Sequence, residues 1–520
     1  MSALTKEPPA PTPVPQSKHG PSLDAVGMTK VFGSFVALDN VTIRVEAGSF
    51  HALLGENGAG KSTLVKSIMG FYQPDGGKVL LDGREVPIRS PRDARDLGIG
   101  MVYQHFTLVP CLTAAENLVM ARADAPAVFN WRSEKERLAA FIETMPFRVP
   151  LDAQVSSLSA GEKQKLEILK LLYLGQRFLI LDEPTSVLTP GEADEMLGLL
   201  GEMAARGEIT VLMISHKFRE VKAFCDSFTV LRRGKLTGTG DAQGATVEEM
   251  SKMMIGDTPI RERAARRMQA GGRRDVLDLA GLVAHDSEGL VVVDALNLKV
   301  GAGEIVGIAG VSGNGQSALV ECLSGQRPLS DGQVFIHGKP FSPKRGDFDR
   351  YKVFGLPEEP LKNAAVPRMS VAENLAFRAF DKPPVAKLGW WMSRGPMRKR
   401  ADELIGLYRV KTTSRDAPIE DLSGGNVQRA ILARELSGDV DVLIVANPCF
   451  GLDFASVAEI RSQIMEQRNK GAAVLLVSED LDEILELSDR VAVMSGGKIT
   501  YVAPVEETDR NIIGQHMAGH

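Results

Sequence analysis

The chain carries the same punctuation twice. Ala47-Gly48 and the strand-like run that ends at Leu54 return as Ala302-Gly303 and Ile305–Ala309, 255 positions on. Ala115-Glu116-Asn117-Leu118 returns as Ala372-Glu373-Asn374-Leu375 after 257, and Gly234-Lys235 as Gly497-Lys498 after 263. Self-similarity at this period means a duplicated domain, not a short-repeat solenoid. An offset that drifts by a few residues means small loop insertions, and Asp381–Arg400, rich in Pro, Trp and basic residues, is one expected place. Arg261–Arg274 is Arg-rich and contains Gly271-Gly272, which marks an exposed linker. The expected organisation is a disordered Pro-rich tail over 1–22, a first domain over 23–258, a linker over 259–275 and a second domain over 276–516.

Composition narrows the class. A length of 520 residues with 44% hydrophobic content supplies two large cores. A net charge of −5 argues against a nucleic-acid partner, whose proteins show a basic excess. No run approaches the roughly 18 apolar residues of a spanning helix. The first 22 residues hold Pro8, Pro9, Pro11, Pro13, Pro15 and Pro21 and lack the apolar centre of a signal peptide. Cys111, Cys225, Cys322 and Cys449 are widely spaced and form no C-x-x-C pair, so buried free thiols in a reducing compartment are expected.

Phe178–Leu181, Val211–Ile214, Val442–Val445 and Val474–Val477 are continuous apolar runs, as strands buried on both faces of a parallel sheet require. Glu162–Tyr173 instead places Leu166, Leu169 and Tyr173 at helical spacing and stops by Gly175. The fold class is α/β, twice.

In the first half, Gly55-Glu-Asn57-Gly58-Ala-Gly60-Lys61-Ser62-Thr63 satisfies G-x-x-x-x-G-K-[ST] between an apolar run and a helical pattern. The glycines let backbone N–H groups wrap phosphates at a helix N-terminus. Lys61 reaches the β- and γ-phosphates and the Ser62 hydroxyl ligates Mg²⁺. The strand Phe178–Leu181 ends in Asp182-Glu183, where an aspartate can hold the metal shell and a glutamate can polarise the attacking water.

Leu158-Ser159-Ala160-Gly161-Glu162 resembles the signature peptide of ABC ATPases. Gln104 is similar to that family's Q-loop glutamine, also a metal ligand, His216 to its switch histidine, and Phe32 to the aromatic that stacks on adenine. The resemblance covers nearly the whole chain. It implies two tandem P-loop NTPase domains, each with a mainly parallel sheet core, an antiparallel β subdomain and a helical subdomain. ATP and Mg²⁺ are the implied cofactors, and Lys61, Gln104, Glu183 and His216 the implied catalytic set.

The second half keeps the frame and loses the chemistry. Gly310-Val-Ser-Gly-Asn-Gly315-Gln316-Ser317 puts Gln316 where Lys61 stood. Losing a charge-assisted contact to phosphate costs about 1.5–3 kcal/mol, roughly ten- to a hundredfold in affinity. Ala446 and Asn447 replace the two carboxylates, Glu479 the switch histidine and Glu358 the Q-loop glutamine, and no aromatic matches Phe32. Yet Leu422-Ser423-Gly424-Gly425-Asn426 is the better signature peptide, and Asp453 keeps the D-loop aspartate that Thr189 replaces in the first half. The resemblance implies that nucleotide lies between the phosphate loop of one domain and the signature of the other. One composite site would then hold Phe32, Gly55, Asn57, Gly58, Gly60, Lys61, Ser62, Thr63, Gln104, Asp182, Glu183 and His216 with Ser423, Gly424, Gly425, Asn426 and Asp453. The other would hold Gly310, Gly315, Gln316, Ser317, Ala446, Asn447 and Glu479 and would not turn over.

Two fused ATPase domains with a degenerate second half look like bacterial importers of simple sugars and nucleosides. Ile88-Arg-Ser-Pro-Arg-Asp93, Gly98-Ile-Gly-Met-Val-Tyr-Gln-His-Phe106 and Glu167-Ile-Leu-Lys170 are most similar to the nucleoside branch. The implied partners are two integral-membrane permease subunits, docked on the surface His105–Leu118, and an extracytoplasmic solute-binding protein of the basic-membrane-protein type. The implied location is peripheral, on the cytoplasmic face of the plasma (inner) membrane. Two alternatives are a pentose or hexose importer and a soluble ribosome-associated tandem ATPase.

Overall fold

The computed structural model describes residues 19–103, 106–122, 129–186, 188–215, 217–256, 266, 274–311, 313–387, 391–449, 452 and 454–517. Gln104, His105, His216 and Asp453, the tail to residue 18 and nearly all of the expected linker lie outside the described residues. The chain divides into two units.

The first unit opens with β1 (Leu23–Phe32), β2 (Phe35–Val45), β3 (Phe50–Gly55), α1 (Lys61–Ile68), β4 (Gly76–Leu81) and β5 (Arg84–Val86). It continues with α2 (Pro91–Asp96), β6 (Ile99–Val102), α3 (Ala114–Met120), α4 (Trp131–Glu143) and α5 (Ala160–Tyr173). It closes with β7 (Phe178–Asp182), α6 (Pro190–Ala205), β8 (Thr210–Ile214), α7 (Phe218–Phe224), β9 (Ser227–Arg232), β10 (Lys235–Asp241) and α8 (Val247–Ile255).

Among the described residues these strands form an antiparallel sheet of order β2-β1-β4-β5 and a six-stranded sheet of order β10-β9-β3-β8-β7-β6. The second sheet is parallel from β9 to β6, with only β10 reversed. The continuous apolar runs are its central strands: Phe178–Leu181 and Val211–Ile214 are buried throughout. Helices cover parallel strands on both faces, so no position needs a solvent-facing polar residue.

The second unit repeats this plan. Its six-stranded sheet runs Val353–Leu356, Val442–Ala446, Ala473–Val477, Ile305–Ala309, Arg490–Ser495, Lys498–Pro504, the same order of corresponding strands. Its four-stranded sheet pairs Asp275–His285 with Val291–Gly301 and Asp331–Ile336, with Lys339–Phe341 at the edge. The expected insertion holds a short hairpin, Ala386–Lys387 against Trp391–Met392, ahead of the helix Arg394–Leu407.

The repeated Ala-Glu-Asn-Leu string has a local cause. Thr113 caps α3 and shares a capping box with Glu116, and Ser370 does the same with Glu373 for the helix Val371–Ala376. Each box satisfies N–H groups that the helix start leaves without partners. The asparagine then reaches out of its helix: Asn117 accepts from the Val109 N–H at 2.8 Å and donates to the Val109 carbonyl at 3.1 Å. Asn374 makes the same pair with Val366 at 2.8 and 3.1 Å. Leu118 and Leu375 are buried.

One expectation fails. Cys225 and Cys322 are buried and Cys449 is half-buried, but Cys111 is exposed, because it sits with Val109 and Pro110 on the surface loop that leads into α3.

Candidate active site

Parallel strands deliver their C-terminal ends to one edge, where open α/β sheets place ligands. At that edge β3 runs into the phosphate loop and β7 ends in Asp182, whose register partner is Ile214 at the end of β8. Val102, the end of β6, pairs beside Leu181. Gln104 and His216 therefore follow strands that end at this edge, although they lie outside the described residues.

The loop's shape rests on its glycines. Gly58 and Gly60 have φ of +78° and +104°, and Gly60 caps α1 from a left-handed conformation. A Cβ at Gly60 would meet the Ala37 carbonyl oxygen at 2.8 Å, so only glycine fits. Lys61 is buried, and its ammonium donates to the Gly55 carbonyl at 2.7 Å and the Glu56 carbonyl at 3.2 Å. Burial pulls its pKa down, while the charges of Glu183, Asp182 and Glu56 hold it up. Ser62 is exposed at the helix start, with Thr63 half-buried behind it. Asp182 is half-buried, and burial followed by the Glu183 charge raises its pKa against Lys61 and Lys66. The structure thus gathers Lys61, Asp182 and Glu183 into one electrostatic cluster beside the loop.

Glu183 has φ of +48°, a left-handed conformation that a glutamate rarely adopts. Its N–H donates to the Ile214 carbonyl at 3.0 Å, which ties the turn after β7 to the end of β8. Phe32 lies at the end of β1 with 42% of its surface exposed. Tyr72 meets it edge to face at 5.3 Å and the Lys30 ammonium lies 5.4 Å from its centroid.

The segments that follow β7 and β8 are joined by a network that the motifs do not mark. Glu220 is buried and accepts from the Thr185 hydroxyl at 2.7 Å and the Ser215 hydroxyl at 3.3 Å, while the Lys217 ammonium donates to Thr185 at 3.2 Å. The second unit repeats its serine–glutamate bond: the Ser478 hydroxyl donates to buried Glu483 at 2.7 Å. The signal was available, since Ser215 and Glu220 return as Ser478 and Glu483 after 263 positions. Tyr72 carries no such sequence signal.

In the second unit the register fixes each replacement. Ala446 pairs with Val477 as Asp182 pairs with Ile214, so Ala446, Asn447 and Glu479 stand at the positions of Asp182, Glu183 and His216. Leu356 pairs with Val445 as Val102 pairs with Leu181, which puts Glu358 at the place of Gln104. Leu277 pairs with Ile336 as Leu23 pairs with Leu81, and counting along the strand puts Asp286 where Phe32 stands. The loop keeps its shape, with φ of +90° at Gly313 and +104° at Gly315, and Ser317 is exposed as Ser62 is. Gln316 is buried and donates to the Val311 carbonyl at 3.2 Å, which copies the contact of Lys61 with Glu56 without its charge. Gly310 is buried against this side chain. Asn447 accepts from the Glu479 N–H at 2.9 Å.

The two signature peptides differ in how they start their helices. Ser159 caps α5, accepting from the Glu162 N–H at 3.2 Å, while the Glu162 carboxylate accepts from the Ser159 N–H at 2.8 Å. At the helix Gly424–Glu435 the Ser423 hydroxyl caps no N–H and accepts instead from the Asn426 side chain at 2.8 Å. Asn426 in turn accepts from the Lys411 N–H at 2.8 Å. Gly424 is exposed and a Cβ there would meet nothing, while Gly425 is half-buried.

The sequence pattern of the ABC transporter family matches residues 38–186 and 293–449. The nucleoside import ATP-binding protein NupA of Lactococcus lactis subsp. cremoris is 37% identical over 501 residues, covering 96% of this chain and 98% of that protein. The guanosine import ATP-binding protein NupO of Bacillus subtilis is 38% identical over 504 residues, covering 96% and 97%. A ribose import ATP-binding protein of Rubrobacter xylanophilus is also 38% identical, over 502 residues, covering 96% and 98%. Among solved structures, an archaeal ribosome recycling factor in complex with the ribosomal stalk protein aP1 matches with a TM-score of 0.59 at 19% identity, covering 95% of this chain and 92% of that one, a likeness of fold alone. With both halves matched and relatives aligned end to end, the chain belongs to the ABC transporter family, as an ATP-binding, ATP-hydrolysing subunit with two fused ATPase domains.

Proposed function

We propose that this subunit powers the uptake of nucleosides through two separate integral-membrane permease subunits, supplied by an extracytoplasmic solute-binding protein. It would work as a peripheral protein on the cytoplasmic face of the plasma membrane. No helix among the described residues is long and apolar enough to cross a membrane. The observation that carries the catalytic part is the cluster of Lys61, Asp182 and Glu183, each within electrostatic reach of the others.

In hydrolysis, water attacks the γ-phosphorus, the bond to the β-phosphate oxygen breaks with its electron pair leaving on ADP, and Glu183 takes the water's proton. Lys61 steadies the phosphate charge, and the loop N–H groups orient the chain. Two adjacent carboxylates, of which Asp182 has its pKa raised by burial and then by the Glu183 charge, fit a divalent cation, and Asp182, Ser62 and Gln104 would hold Mg²⁺. When bound, Mg²⁺ would supply charge neutralisation for the triphosphate.

The composite pairing belongs to the same proposal: the first half's set is completed by Ser423, Gly424, Gly425, Asn426 and Asp453. What supports it is chemistry within each unit. The Ser159 hydroxyl and the Glu162 carboxylate spend themselves on their own helix start, whereas the second signature helix starts with no carboxylate across its N–H groups.

The cargo rests on the relatives named for nucleoside and guanosine import. The ribose import relative, at equal identity, favours a pentose as the second reading. Radiolabelled uptake in cells carrying Glu183→Gln decides between them. Loss of nucleoside uptake with ribose uptake intact supports the proposal, and the reverse pattern establishes the pentose.

A further inference from the structure

Glu167, on α5, is 2% exposed, and an acid that deep is retained only when its charge is fully engaged. Its partner is Thr107, in the segment that follows β6. Glu167 accepts from the Thr107 N–H, and from the Thr107 hydroxyl at 2.9 and 3.1 Å. Lys170, one turn further along α5, pairs with Glu167 at 2.6 Å and donates to the same hydroxyl at 2.7 Å. The segment is thus held at Thr107 by α5 and at Val109 by Asn117 of α3.

The second unit fastens the corresponding residue by other means. Ala364 lies 257 positions after Thr107, the offset of the repeated Ala-Glu-Asn-Leu string. Its carbonyl accepts from Arg434 at 2.8 Å, and Arg434 stands 264 positions after Lys170, as Ser423 stands after Ser159. At the place of Glu167 the second unit has Ile431, fully buried. Two unlike sets of side chains therefore tie the same point of the chain to the same helix.

We propose that Glu167 and Lys170 form a latch that makes the segment Phe106–Val109 and α5 move as one body. Glu167 is a positioning residue. Resting on the importer reading, which puts the permease-facing surface on this segment, the latch carries permease movement along α5 to the signature peptide at its start, about 12 Å from Glu167 at 1.5 Å per residue.

The test compares ATPase activity with and without cargo-loaded binding protein in the assembled transporter. In Glu167→Ala the basal rate stays within about twofold while stimulation by cargo falls about fivefold or more, the scale of residues that carry coupling. The pair Glu167→Ile with Lys170→Arg, which installs the second unit's chemistry, restores at least half of the stimulation. Stimulation unchanged in Glu167→Ala, or basal and stimulated rates falling in parallel, overturns the latch. Should Glu167→Ala not assemble, Thr107→Val, which deletes the shared hydroxyl, is read by the same two criteria. A parent complex without any cargo response sinks the importer reading instead. Amide exchange in the isolated subunit then decides the latch: faster exchange over 106–109 in Glu167→Ala supports it, and unchanged exchange overturns it.

Discussion

Glu183 and Asn447 each follow directly on corresponding strands with the same left-handed backbone, φ +48° and +43°, and each donates its N–H to the carbonyl of the last residue of the neighbouring strand, Ile214 at 3.0 Å and Val477 at 2.8 Å. Asparagine tolerates this conformation better than glutamate does, so the first half keeps the more strained residue of the two. Such strain persists where function requires it. Glu183→Asn is therefore expected to abolish hydrolysis while raising stability by about 0.5–1 kcal/mol, read by denaturant unfolding of the subunit. A less stable variant would show that the turn is not strained.

Lys61 and Gln316 fill the same buried place with and without charge. Lys61→Gln should weaken ATP binding roughly ten- to a hundredfold in calorimetry, the worth of a charge-assisted contact. Gln316→Lys should not create a second turnover, because Ala446 and Asn447 still supply no carboxylate.

The two signature serines should fail in different ways. Ser159 caps α5, so Ser159→Ala is expected to cost about 1 kcal/mol of stability. Ser423 caps no N–H, so Ser423→Ala should unfold like the parent yet lose ATPase activity in the assembled complex. Equal stability losses in both would erase the distinction.

His51 gives the first unit an acid limit. Its imidazole is buried between the Ser227 and Thr229 hydroxyls at 2.7 and 2.8 Å, and burial lowers its pKa from 6.5 to about 4. Between those values the unfolded chain binds the proton and the folded one does not, so stability falls as pH drops from 6.5 toward 4. The full effect is about 3 kcal/mol. Thermal unfolding at pH 7 and 5 should show about 2 kcal/mol of this loss, the remainder appearing only near pH 4, and His51→Gln, which does not titrate, should flatten it.

The sheet core was legible because strands buried on both faces leave unbroken apolar runs, as at Phe178–Leu181 and Val474–Val477. The phosphate loop and Asp182-Glu183 were legible because phosphate chemistry demands those side chains in that order. Other features depend on contacts between distant segments and leave little local trace. Tyr72 against Phe32, Glu220 against Thr185 and Glu167 across from Thr107 all join residues far apart in the chain. The exposure of Cys111 followed from where a loop runs, which cysteine spacing does not encode. The differing starts of the two signature helices turn on one residue, Glu162 against Asn426, whose effect appears only once each side chain has chosen its partner.

The central claim is that turnover belongs to the amino-terminal half's own carboxylates. ATP hydrolysis by the assembled transporter, compared between Glu183→Gln and Asn447→Gln, tests it most directly. A fall of about a hundredfold or more in the first, the usual worth of a general base, with the second within about twofold of the parent, is the expected result. Activity that survives Glu183→Gln and is lost in Asn447→Gln would contradict the account.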